Sequence, residues 1–484
     1  MAEQLTTEQV ALLNNLMYMS KQSPLHKIVD AQEGTTIGEY LSTIGEIPET
    51  TEYACFMTGS DWNNIITAVR NDPELMNMEI AATHVDTTQT GGGGGESAVF
   101  VNPATNEAVV TFRGTGQNEW PDNFMGGGQT HSVDQVSTPY QENALEWYES
   151  LNLEEYSCVT VTGHSKGGNK AKYITLMNGD DTVDRCLSFD GQGFSDDFVD
   201  TYGLNISTRQ HKITNNNVAS DYVNILLNDV GETIFYEGYD YGSGSFLENH
   251  SPNTYFNFTS DGSGQFTMKT AQQNPDLIVV DEFLNSALRS MPEGQKETTL
   301  KLIGDLITTA SCSDGINDIL NVLAQEENVE SASYLIAYLL KYKNENPQLV
   351  DVIDRVLNEM GLSDLTKVVD VVDEITQQNW FDEVLNLVGI FGLDLASDYG
   401  WLIRKLLEKY DIDLTQNELL QLVSVLVRVP DDMNSIKKLE DGKDLKVPST
   451  NAIGGKICTF ERERTLKYAE SKCDCSGLQC REGY

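Results

Sequence analysis

The spacing of apolar residues changes character near Leu277. Before it, short runs rich in β-branched residues alternate with segments whose apolar positions recur at helical spacing. The runs at 97–102, 107–112, 157–162, 185–189, 207–215 and 233–236 predict strands. Pro103-Ala-Thr-Asn106, between the first two, has turn chemistry. One helix opens at Thr6, where a threonine cap and acids in the first turn suit the helix dipole, and Val10, Leu13 and Leu16 share a face. Others are expected around 37–41, 61–71, 140–151 and 166–177. Strands that alternate with helices predict an α/β fold over residues 1–275, with a mainly parallel sheet covered on both faces.

After Leu277 the pattern is amphipathic and charged. Leu300, Ile303 and Ile307 share a face, as do Leu365, Val368, Val372 and Ile375 after a Ser363 cap. Further helices are expected at 316–327, 331–343, 349–360, 380–393, 399–410 and 417–427, with Pro347 and Gly361 as breaks. This predicts an all-α accessory domain over 280–445 with no catalytic constellation of its own. It reads as a packed appendix or as a surface for docking a protein partner or for export. The tail, 446–484, carries Cys458, Cys473, Cys475 and Cys480. Its C-x-C spacing leaves metal binding, disulfides or a loosely ordered terminus open. The other cysteines, Cys55, Cys158, Cys186 and Cys312, are scattered and read as buried thiols.

Charge removes several functions. With 32 Lys+Arg against 74 Asp+Glu the chain carries −42. There is no basic stripe for phosphates, so nucleic acid is not an expected partner. Electrostatic attachment to anionic lipid is disfavoured as well. The N-terminus lacks the basic start and apolar core of a signal peptide, and no apolar run is long enough for a transmembrane segment. The expected location is the cytoplasm, or outside the cell by a route without a cleaved leader. The glycine run at 88–95 lacks a following G-K-[ST] and reads as a surface loop, not a phosphate cradle.

The chemistry concentrates in Val159-Thr-Val-Thr-Gly163-His164-Ser165-Lys166-Gly167-Gly168-Asn169. A β-branched strand, a glycine-framed turn and a helix surround a G-x-S-x-G core, the context of a nucleophile elbow. Ser165 would stand in a strained turn above the sheet edge, and the helix dipole and the Lys166 amide would favour an oxyanion beside it.

Upstream, a strand ends in Phe112-Arg113-Gly114-Thr115, followed by Trp120, Asp122, Phe124 and Met125. Together with the G-H-S-x-G-G run, residues 1–275 resemble the class 3 lipases and their bacterial lipase-like relatives. The resemblance implies an α/β-hydrolase fold and an oxyanion hole formed by Thr115 and the Lys166 amide. The lysine after the serine departs from the family's usual leucine-like residue and bears on which ester enters. Trp120 and Asp122 read as a packed aromatic and a helix cap; alternatively Trp120, Phe124 and Met125 edge an acyl-binding groove or a mobile cover.

A serine hydroxyl needs a neutral imidazole, and the imidazole needs a carboxylate. In this fold they follow the serine as acid, then base. Of the six histidines, His26, His84 and His131 precede Ser165 and are demoted by that order. The ring of His164 would point away from the hydroxyl, and His211 falls in a predicted strand. His250, in a late loop, is the candidate base. Asp190 and Asp221 end the two strands after the serine. The fold and the resemblance favour Asp221, with Asp190 next. No H-E-x-x-H or paired C-x-x-C suggests a metal, and no cofactor is expected.

The expectation is a serine ester hydrolase of lipase, phospholipase or esterase type, acting on a lipid or small ester through Ser165, Asp221 and His250. A lipase-like domain without a leader, joined to a helical domain, also resembles exported antibacterial lipase toxins. The competing expectation is an inactive hydrolase fold that binds partners through its helices.

Overall fold

The computed structural model describes residues 4–86 apart from 54 and 56, 95–115, 136–238, 246–290 and, with gaps, 295–377 and 422–432. Trp120, Asp122, Phe124, Met125, His131, Cys312, the glycine run at 88–94, the helices expected at 380–393 and 399–410, and the cysteine tail lie outside the described residues. The chain divides into two compact units, Met1–Asn434 and Ser435–Tyr484, and all described residues belong to the first.

Eight strands form one sheet: β1 (Thr35–Thr36), β2 (Glu79–Val85), β3 (Glu96–Asn102), β4 (Glu107–Phe112), β5 (Cys158–His164), β6 (Arg185–Phe189), β7 (Ile213–Val218) and β8 (Glu232–Tyr236). Their order in the sheet is their order in the chain. The first three pairings are antiparallel and the last four, from β4 to β8, are parallel.

The helices of the α/β part are α1 (Thr7–Leu16), α2 (Ile37–Ser42), α3 (Gly59–Arg70), α4 (Pro73–Met76), α5 (Pro139–Ser150), α6 (Lys166–Met177), α7 (Asp196–Thr201), α8 (Gly203–Arg209) and α9 (Phe246–Asn249). A short hairpin of β9 (Asn257–Phe258) and β10 (Phe266–Thr267) follows. Thr6, Thr36, Thr58 and Thr138 each open a helix with a reciprocal capping box, which satisfies donors that would otherwise be orphaned.

Strand alternation sorts the core. Phe100, Val109, Leu187 and Phe189 face α1, α2 and α3, while Val99, Val110, Val161 and Cys186 face α5, α6 and α7. Sequential parallel strands joined by right-handed crossovers put their helices on one face. The N-terminal helices cover the other. Cys158 and Cys186 are buried free thiols, and Cys55 is partly exposed.

One expectation needs correction and one strand was missed. The run at 207–215 is mostly not strand: Gly203–Arg209 is helical, Gln210–Lys212 is a 3-10 turn, and β7 starts at Ile213. β2 gave no clear signal in the sequence, because its residues are only partly buried on both faces and do not alternate cleanly.

Beyond β10 lie α10 (Pro275–Ser290), α11 (Ile316–Leu323), α12 (Val329–Glu345), α13 (Pro347–Glu359) and α14 (Ser363–Thr376). Arg355 in α13 makes a two-point contact with Asp276 in α10, at 2.9 and 3.0 Å. Among the described residues, no helix is long and apolar enough to cross a membrane, and no group of His, Cys, Asp and Glu is arranged to hold a metal.

Candidate active site

The carboxyl ends of β4, β5, β6 and β7 come together at one edge of the sheet, where open α/β sheets place their ligand crevices. Ser165 follows β5 with φ 59° and ψ −129°. A non-glycine residue holds such a backbone only when its surroundings fix it. They do so through close packing. A Cβ on Gly167 would come within 2.0 Å of the Phe112 carbonyl oxygen, so α6 can sit this near β4 only with glycine there. Gly114 is equally confined: its Cβ would meet the Tyr18 hydroxyl at 2.2 Å and Ser165 Cβ at 3.0 Å. The F-R-G-T strand end therefore passes directly beside Ser165, and Thr115 is the next residue. Lys166 is the first residue of α6. Its side chain is fully buried.

His250, just past α9, brings Nε2 to 2.8 Å from Ser165 Oγ. Its Nδ1 lies 3.1 and 3.0 Å from the two carboxylate oxygens of Asp221. Asp221 is fully buried in the loop between β7 and β8. Its Oδ1 accepts the Val223 amide at 2.9 Å. Burial pushes Asp221 up to about 7, against hydrogen bonds from Val223 and its neighbours. Burial also brings His250 down to about 4, so the imidazole is neutral at physiological pH.

Asp190 ends β6 and is also fully buried, but it lies behind Asp221 and not against the His250 nitrogen. Its Oδ1 accepts from the Val218 amide at 2.6 Å and from Asn224 Nδ2 at 2.9 Å, and its Oδ2 contacts the Tyr255 hydroxyl. His164 is buried beside it. Its Nδ1 lies 2.7 Å from the Tyr18 hydroxyl, its Nε2 is 4.0 Å from Asp190 Oδ2, and its ring lies 4.9 Å from that of His250. Arg113 stacks over Tyr18 at 5.5 Å and is held at 3.2 Å by the buried Glu96, which also contacts Lys27.

The other described histidines take no part. His26 bonds Thr43, His84 stacks on Trp147, and His211 sits in the turn before β7. Sequence reasoning passed over Tyr18, Glu96, Asn224 and Tyr255. Glu96 carried a usable signal, since a carboxylate at the start of an apolar strand demands a cationic partner.

A family model described as Mbeg1-like matches residues 96–236, from β3 to β8. That stretch carries Ser165, Asp190 and Asp221. The chain is similar to a lipase-like family. Among solved structures it matches the crystal structure of Lip2 lipase from Yarrowia lipolytica, with 14% identity, a TM-score of 0.27 and coverage of 47% of this chain and 76% of that one. No curated protein matches it.

Proposed function

We propose that the chain is a serine ester hydrolase that acts through an acyl-enzyme on a lipid or small carboxylic ester. One observation carries this reading: a single imidazole has one nitrogen 2.8 Å from a hydroxyl on a strained turn and the other 3.0 Å from a buried carboxylate. In this reading Ser165 is the nucleophile, His250 the general base and Asp221 the group that fixes the imidazole tautomer. As Ser165 Oγ attacks the ester carbonyl, His250 Nε2 takes its proton. The Thr115 and Lys166 amides donate to the oxyanion, helped by the N-terminal end of α6. His250 then gives the proton to the departing alcohol, and water, deprotonated by the same imidazole, releases the acid. In this reading the segment 280–445, expected from its sequence to be helical, serves as an accessory domain.

A fluorophosphonate should label the wild-type protein and leave Ser165→Ala unlabelled. Turnover of a short-chain ester should fall roughly 10⁴-fold or more in Ser165→Ala and in His250→Ala, and should be unchanged in His211→Ala. Activity that survives in Ser165→Ala would sink the assignment. Panels of phospholipids, glycerides and small esters then define the preferred head group.

A further inference from the structure

Behind the Ser165–His250–Asp221 contacts lies a second carboxyl that the proposed mechanism does not use. Asp190 and Asp221 are both fully removed from water, and Asp190 takes its two N–H donors from Val218 and Asn224, on either side of Asp221 in its loop. Two carboxylates sharing a dry site do not both ionise, because their repulsion is unscreened. Among the described residues, no lysine or arginine bonds either group. The ionisable groups facing Asp190 are Asp221 from the β7–β8 loop, His250 past α9, His164 from β5 and Tyr255, with Tyr18 and Tyr236 behind them.

The hydrogen-bond pattern says which carboxyl keeps the proton. Asp190 Oδ1 is occupied by two N–H donors, so it is the acceptor oxygen. Oδ2 meets the Tyr255 hydroxyl, and that hydroxyl also lies 2.8 Å from the Asn216 carbonyl oxygen. The Asn216 carbonyl also accepts the Asp190 amide at 3.0 Å, but one phenolic proton still cannot fill both of the close O···O contacts of Tyr255. A proton on Oδ2 removes the conflict, since Tyr255 then donates to Asn216 and accepts from Asp190. Asp221, in contrast, has a backbone amide donor and an imidazole on its oxygens, an environment that suits a carboxylate.

We infer that Asp190 is a positioning residue that holds a proton in the working protein, so that Asp221 carries the only negative charge beside His250. The location of the proton follows from geometry alone, and its effect on rate rests on the serine-hydrolase reading. If Asp190 ionised, Asp221 would take up the proton and the imidazole would lose its anionic partner. Burial and the neighbouring Asp221 both drive Asp190 well above the ordinary carboxylate range, in keeping with this assignment.

Asp190→Asn tests it. The amide keeps an oxygen for Val218 and Asn224 and puts an N–H where the proton would be. Ester kcat/KM should stay within about threefold of wild type near neutral pH, and any alkaline decline due to loss of that proton should be absent. Asp190→Ala, which supplies neither donor nor acceptor, should lower kcat roughly tenfold or more with little change in KM. In infrared difference spectra taken well above the pH at which Asp221 ionises, Asp190→Asn should lose the band of a protonated carboxyl. A folded Asp190→Asn protein with kcat down by more than about a hundredfold overturns the role. Loss of an ionised-carboxylate band overturns the proton itself. The infrared arm runs equally well on Ser165→Ala. If no ester is turned over and no fluorophosphonate reacts, the hydrolase reading fails while the position of the proton is still decided. Should Asp190→Asn not fold, aspartate-labelled wild type takes its place, and absence of any protonated aspartate band overturns the proposal.

Discussion

His250 is 13% exposed at its side chain and Asp221 is not exposed at all. Burial therefore disfavours the charged form of each, lowering the imidazole to about 4 and raising the carboxyl to about 7. On the proposed mechanism the productive form needs a neutral imidazole beside an ionised carboxylate. The first condition holds above pH 4 or so, and the second is met only as pH rises through about 7. The acid limb of kcat/KM should accordingly fall near 7 and not near 4, as a property of the coupled pair. Asp221→Asn should flatten that limb and lower kcat by about 10⁴-fold. A limb centred near 4 would mean that the amides around Asp221 outweigh its burial. Ser165, Asp221 and His250 were legible as a candidate set, because strand order and the elbow motif limit where an acid and a base can follow. Tyr18, Tyr255 and Asn224 were not. Each is an ordinary residue in its own stretch, and its relation to the site exists only once α1 and the loops after β7 and β8 meet at the sheet edge.

Elements were legible where local preference and burial agree. β4 and β5 are β-branched and fully buried, and the sequence pattern outlines both. β7 is the counter-example. Its Ile-Thr-Asn-Asn-Asn-Val run has weak strand preference, and it is held by side-chain bonds such as Asn215 Nδ2 to the Val230 carbonyl at 2.9 Å. The preceding Ile-Ser-Thr looks strand-like but closes α8. The joint between α6 and β4 yields the clearest test at this scale. Gly167→Ala would push a methyl group to 2.0 Å from the Phe112 carbonyl, and backbone cannot yield as a flexible side chain does. Such overpacking should cost about 3 kcal/mol or more. A clear drop in melting temperature and loss of fluorophosphonate labelling are expected, and an unchanged melting temperature would refute the tight joint.

For the whole molecule the dominant physical fact is a charge of −42. A chain this acidic is repelled by anionic lipid, and salt screens the repulsion. If the ester sits in a bilayer, hydrolysis in zwitterionic vesicles should exceed that in phosphatidylserine-containing vesicles at low ionic strength, and the gap should close as salt is added. A preference for the anionic vesicles at low salt would point instead to a local cationic docking face. The shift in the period of apolar residues near Leu277 was legible, and the elements described between Pro275 and Thr376 are helices.

The sheet is assembled from strands that are neighbours in the chain, so no pairing skips a strand. The site has the opposite character: its parts range from Tyr18 to Tyr255, and the serine and its imidazole are 85 positions apart. Short closures are entropically cheap and come early, whereas distant ones wait. On the proposed reading, a chain refolding from denaturant should regain strand signal before Ser165 takes up a fluorophosphonate, because the hydroxyl gains its imidazole only when the first helix and the last loops have met.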